Sequence, residues 1–178
     1  MAAIRQVFAL VMIAASLAAR ASEDALEPIF SPAPKTLVAF IRDREDIAEF
    51  LSDGSTVIEA WKIDLNSDNT PEYVVLARGS ICGAANCPMW VVERSGASYS
   101  VLLKTGSIQT IHVLSGTSNG YRNVVTQWHG SAFSSMEIIY GFSRGEYRQI
   151  KCEMVDYEIL NDRGETVELE TPQRTVCR

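Results

Sequence analysis

The stretch Asn119-Gly120-Tyr121-Arg122-Asn123-Val124-Val125-Thr126-Gln127-Trp128 decides the fold, because a two-residue turn signal there runs into a segment rich in β-branched and aromatic side chains. Asn-Gly supplies the positive φ of a tight hairpin, and the residues after it suit a pleated, half-buried surface. The arrangement recurs at Ser95-Gly96 before Tyr99 and at Arg144-Gly145 before Tyr147. These glycines fall 24 and 25 residues apart. A weak repeat of hairpin units would give that spacing, and so would hairpin chemistry alone, since an aromatic after the turn packs across any strand pair.

Working outward, runs of Val, Ile, Tyr and Trp are separated by Gly, Asn and Ser every eight to twelve residues, as an antiparallel sheet requires. They predict strands at 56–63, 72–78, 88–94, 98–104, 107–114, 121–128, 135–142, 146–151, 153–160 and 166–169. Upstream, Leu37, Phe40, Ile41, Ile47, Ala48 and Leu51 recur at three- and four-residue steps, with Arg42, Asp43, Glu45, Asp46 and Glu49 on the remaining arc. That periodicity predicts one amphipathic helix over 36–51, stopped by Asp53-Gly54. Before it, Pro28, Pro32 and Pro34 mark 22–35 as an extended arm. The expected fold is α+β with β dominant: a single domain over 36–178 whose N-terminal helix packs on a mostly antiparallel meander, curled as a sandwich or partial propeller.

With 178 residues, 47% of them apolar and 21% charged, the chain supports one ordinary core. Its formal net charge of -6 repels phosphate backbones, which argues against a general nucleic-acid binder. Arg5, the apolar run from Val7 to Ala19 and the small residues of Ala19-Arg20-Ala21 read as a secretory signal over 1–21. As a helix that run is roughly 20 Å long, short of a hydrocarbon layer about 30 Å thick. A periplasmic or secreted protein is expected, with no integral membrane segment after cleavage. The four cysteines then favour disulfides over metal or redox chemistry. Of the three pairings, Cys82–Cys87 and Cys152–Cys177 are preferred: the first spans a short turn, and the second ties the chain end back to a strand.

Two loops carry candidate chemistry. In Asp64-Leu65-Asn66-Ser67-Asp68-Asn69-Thr70-Pro71-Glu72, side-chain oxygens of Asp64, Asn66, Asp68, Thr70 and Glu72 alternate through a tight loop, a pattern that suits a hard cation such as calcium. The loop resembles the calcium loops of integrin-type and related β-repeat proteins. Its flanks, Trp61-Lys62-Ile63 and Tyr73-Val74-Val75-Leu76, match strands, and Asn69 stands where those loops have Gly. No cofactor is required by the sequence; calcium is the one candidate, with an affinity of about 0.1–1 mM for an exported module. A polar hairpin held by Asx-turns is the plainer reading of the same residues.

The second loop is Cys82-Gly83-Ala84-Ala85-Asn86-Cys87 between two predicted strands. A disulfide across such a tip holds it rigid and lowers the ordering cost on entering a partner's cleft. Strand, C-x4-C tip and apolar strand together resemble the inhibitory loop of Ivy-type periplasmic lysozyme inhibitors. With the acidic loop and Asn119-Gly120-Tyr121-Arg122, the tip is also similar to exported bacterial β-rich proteins of unassigned activity. The first resemblance implies a non-enzymatic inhibitor or immunity-type partner of a cell-wall hydrolase. That family engages lysozyme with a histidine and an acidic residue in the tip, where this chain has Ala84, Ala85 and Asn86.

No H-E-x-x-H, G-x-S-x-G, P-loop or dinucleotide fingerprint is present. The enzymatic alternative is a hydrolase using His129 with Ser131 and a distant carboxylate, which requires both side chains on one strand face. His112 alternates with apolar neighbours and is expected to make a local hydrogen bond. Trp61, Trp90 and Trp128 are assigned to the core, and Glu165, Glu168 and Glu170 to a solvated strand.

Overall fold

The computed structural model describes residues 25–43, 47–52, 54–83, 85–161 and 163–177. The expected signal segment 1–21 and the tip residue Ala84 lie outside them. In chain order the elements are β1 (Ser31–Pro32), α1 (Lys35–Arg42), α2 (Ala48–Ser52), β2 (Val57–Ile63), β3 (Glu72–Arg78), β4 (Cys87–Ser95) and β5 (Ser98–Ile108), then β6 (Thr110–Ser118), β7 (Tyr121–Ser131), β8 (Ser134–Ser143), β9 (Glu146–Leu160) and β10 (Thr166–Val176). Two five-stranded antiparallel sheets result, ordered β1-β2-β3-β4-β5 and β10-β9-β8-β7-β6, so sequential strands are neighbours within each sheet. The expected β-dominant α+β meander with two disulfides is what the chain forms.

The first sheet is covered on both faces, and alternation shows how. Val74, Leu76, Met89 and Val91 point into a core shared with Ile111, Val113, Val124 and Tyr147 of the second sheet. Val75, Ala77, Trp90 and Val92 point the other way, onto Leu37, Ile41, Ile47 and Leu51 of the helical segment. Successive strand residues face opposite sides, so β3 and β4 read as unbroken apolar runs where a half-exposed strand would alternate. Burying each Val, Leu, Ile or Met side chain among these is worth about 1.5–3 kcal/mol.

Several boundaries depart from expectation. The single helix over 36–51 is instead α1 and α2, with the Asp43 N–H closing α1 on the Ala39 carbonyl at 3.0 Å. Residues 42–46 are all charged in the sequence, and past them Ile47, just ahead of α2, and Leu51 within it join the core over the sheet. The break expected after 104 is absent: β5 runs on to Ile108, and the buried Thr105 hydroxyl donates to the Met89 carbonyl at 2.8 Å. The chain changes sheet at Gln109 alone. Segments 146–151 and 153–160 are one strand, β9, because Cys152 continues the ladder opposite Ile138. Past 169, β10 runs on through Pro172, which sits within a register shift between Glu168 and Gln173, where a missing N–H is tolerated.

The arm is stitched to both sheets. Leu26 bridges Val113 of β6, and Ser31 and Pro32 pair with Ala60 and Glu59 of β2. At the other end of the chain, β10 is an edge strand held by β9 and by Cys152–Cys177.

Loop-closure entropy ranks the two disulfides: the 25-residue separation of Cys152–Cys177 gives about 3.5 kcal/mol and the five-residue separation of Cys82–Cys87 about 2 kcal/mol. Urea unfolding of the Cys152→Ala/Cys177→Ala and Cys82→Ala/Cys87→Ala pairs is expected to show the larger loss for the first.

Candidate functional site

Strand β3 places both candidate loops, the acidic one entering it at Glu72 and the cysteine-closed one leaving it at Arg78. In the acidic loop, Asp64 accepts the Ser67 N–H at 2.7 Å and the Asn69 N–H at 3.0 Å. Asn66 Oδ1 accepts the Asp68 N–H at 3.0 Å, and Asp68 accepts the Thr70 N–H at 2.6 Å. Ser67 and Asn69 take the left-handed conformation, with φ of 62° and 67°. The Asx-turn reading therefore accounts for the backbone: short polar side chains satisfy amides that no strand partner reaches.

Two anchors fix this loop to the body. Leu65 is fully buried in the shared core, and its carbonyl accepts the Arg122 N–H of β7 at 2.7 Å. Glu72 is 3% exposed and accepts the Leu65 N–H at 2.7 Å. Burial pushes the Glu72 carboxyl above its ordinary value, and the nearby Asp68 and Asp64 push it further, against the pull of the Leu65 N–H. Asp68 is held below its ordinary value by the Thr70 N–H and the Asn66 amide. Among the described residues, none of Asp64, Asp68 and Glu72 has an ion-pair partner, and no group of three or more His, Cys, Asp or Glu is arranged to hold a metal ion.

The other loop leaves β3 through Gly79, at φ 138°, where any Cβ would collide with the Ser55 carbonyl. Its ring is closed by Cys82–Cys87, with Cα atoms 4.3 Å apart, and by the Gly83 N–H donating to the Asn86 carbonyl at 2.8 Å. The Asn86 amide then reaches the second sheet. Its Nδ2 donates to the His129 carbonyl at 3.2 Å, and its Oδ1 accepts the His129 N–H at 3.1 Å. One side chain thus reproduces both hydrogen bonds of a strand neighbour and fastens the tip to β7. Gly83 is exposed, whereas Ala85, Asn86 and both cysteines are half-buried.

Beside this junction Trp128 is 38% exposed, in contrast to the core positions of Trp61 and Trp90. This corrects the assignment of all three indoles to the core: Trp128 lies toward the end of β7, where its ring passes 2.9 Å from the position a Cβ on Gly130 would take. Phe133, 47% exposed, adds a second ring at the β7–β8 turn. The sequence Trp128-His129-Gly130 carried the one available signal, a large ring followed by a residue with no side chain to oppose it.

His129 and Ser131 are not brought together. A register shift separates them, the Ser131 hydroxyl bonds Ser134 at 2.9 Å and accepts the Phe133 N–H, and among the described residues no carboxylate contacts the His129 imidazole. His112 instead meets the arm, its Nδ1 3.3 Å from a carboxylate oxygen of Glu27. Among the described residues no helix is long and apolar enough to cross a membrane.

Glu72 makes a signed pH prediction. A carboxyl whose folded value is raised contributes stability that is fully present below its unfolded value and is lost as pH rises through the folded one. At neutral pH the buried charge is therefore a burden, and Glu72→Gln, which keeps an acceptor for the Leu65 N–H, is expected to raise Tm there. Calorimetry from about pH 4 to about pH 8 with calcium chelated checks this, the gain shrinking toward the acid end. No protein-family model, no curated protein and no solved structure matches this chain.

Proposed function

We propose that the chain is an exported, non-enzymatic binding protein that engages a protein partner through the surface around the hairpin tip 82–87, with a cell-wall hydrolase as the partner class. The observation that carries this reading is the double fastening of the tip, by Cys82–Cys87 and by the paired Asn86–His129 hydrogen bonds. A loop fixed in this way has lost its freedom before a partner arrives, which cuts the ordering cost of association. The exposed Trp128 indole beside it is the kind of large, stiff side chain on which interface energy concentrates. Both disulfides fit an oxidising compartment, periplasmic or secreted.

Mature protein with its disulfides intact is expected to slow at least one lysozyme or cell-wall amidase at micromolar concentration. Asn86→Ala should weaken that inhibition about tenfold, the loss of about 1.4 kcal/mol expected when one anchoring side chain goes. Undiminished hydrolysis across the panel would falsify the inhibitor reading.

A second reading, a calcium-stabilised structural or adhesion-like module, is favoured by the three carboxylates of Asp64, Asp68 and Glu72, which have no ion-pair partner among the described residues. Calcium bound to the folded state would raise Tm once its concentration passes a dissociation constant of about 0.1–1 mM, and Glu72→Gln would blunt the rise. A flat Tm to tenfold above that range removes it.

A further inference from the structure

Strand β10 ends the second sheet, its residues are exposed along almost all of its length, and on either side of the register shift at Pro172 its outer edge has no strand partner among the described residues. Past Tyr157, whose N–H donates to the Phe133 carbonyl at 2.8 Å, β9 has no strand partner but β10 among the described residues, so 158–160 and 166–168 form a two-stranded ribbon. The turn between them is well tied: Asn161 accepts the Arg163 and Glu165 N–H groups and donates to the Glu165 carboxylate at 3.0 Å. The ribbon's two sides differ in kind. Tyr157, Ile159 and Val167 share one, at 36%, 38% and 42% exposure, with Ile159 directly opposite Val167. Asp156, Glu158 and Glu168 share the other, with Glu158 directly opposite Glu168 and none of the three in an ion pair among the described residues. Facing like charges destabilise a strand pair, so the ribbon carries a charge conflict that a cation would relieve.

We propose that the free edge of β10 accepts an extended strand of a cationic partner protein, with Lys or Arg alternating with apolar residues. Such a strand continues the ladder, sets its cations beside Glu168 with Glu158 one strand further in, and extends the Ile159–Val167 row with its apolar residues. A second copy of this chain is a poor occupant, because β10 against β10 sets Glu168 and Glu170 against the same acidic strand. The strand edge and the hairpin tip use different residues, and Asn86→Ala perturbs only the second, so failure of this proposal and failure of the hairpin reading are separable.

The probe is the peptide Lys-Val-Lys-Val-Lys-Val-Lys, titrated into the mature, disulfide-bonded protein while backbone amide resonances are followed. Shifts concentrated at 166–170 are expected, with binding weakened at least tenfold by Glu158→Lys/Glu168→Lys and unchanged by Asn86→Ala. Glu158→Gln/Glu168→Gln guards against misfolding of the reversed variant and should weaken binding to an intermediate degree. Equal binding of a Glu-Val peptide or of a block peptide with the same Lys and Val content, shifts elsewhere than β10, concentration-dependent dimers with no peptide uptake, or no binding at all would each overturn the proposal.

Discussion

Two-sided burial of β3 and β4 is the constraint on which the rest of the molecule depends. A sheet face left bare would expose Val75, Ala77, Trp90 and Val92, so the helical segment is fixed against it; the opposite face needs the second sheet for the same reason. Three layers follow from two runs of four apolar residues. The Trp90 indole shows how closed that inner layer is, since its Nε1 is buried without a hydrogen-bond partner among the described residues.

A strand gripped from both sides also makes a good mount. Glu72 and Gly79 stand at opposite ends of β3, so the acidic loop and the cysteine-closed hairpin take their positions from the same rigid rod. Each loop then reaches across to β7, the first through Arg122 and the second through His129. The contacts between sheets are thus not only apolar: at either end of the core, backbone polar groups left over by one sheet are satisfied by the other.

Much of this was legible in the residues. Gly96, Gly120 and Gly145 do turn with positive φ, and Asn119 and Arg144 before two of them share that conformation, as tight hairpins demand. The cysteine pairing followed from spacing and strand placement. The change of sheet at Gln109 was hidden because it uses neither Gly nor Pro, while Thr105-Gly106 offered a turn signal that the buried Thr105 hydroxyl overrides. The Asn86–His129 pair was equally hidden: a side chain that docks on backbone far along the chain leaves no periodicity. Burial of Glu72 escaped notice because its neighbours in the loop are polar, and only the fold puts it under the core.

The N-terminal strap has a consequence for the order of assembly. Leu26 seeks Val113, a residue of the second sheet, so the stitch is impossible until all five strands of the first sheet and part of the next have been released. In a chain threaded outward from its N-terminus, the arm emerges ahead of both sheets and is therefore among the last segments to find its full seat. Until then the outer rim of β6 lacks its Leu26 partner, a brief window in which a chaperone would have an open strand edge to hold.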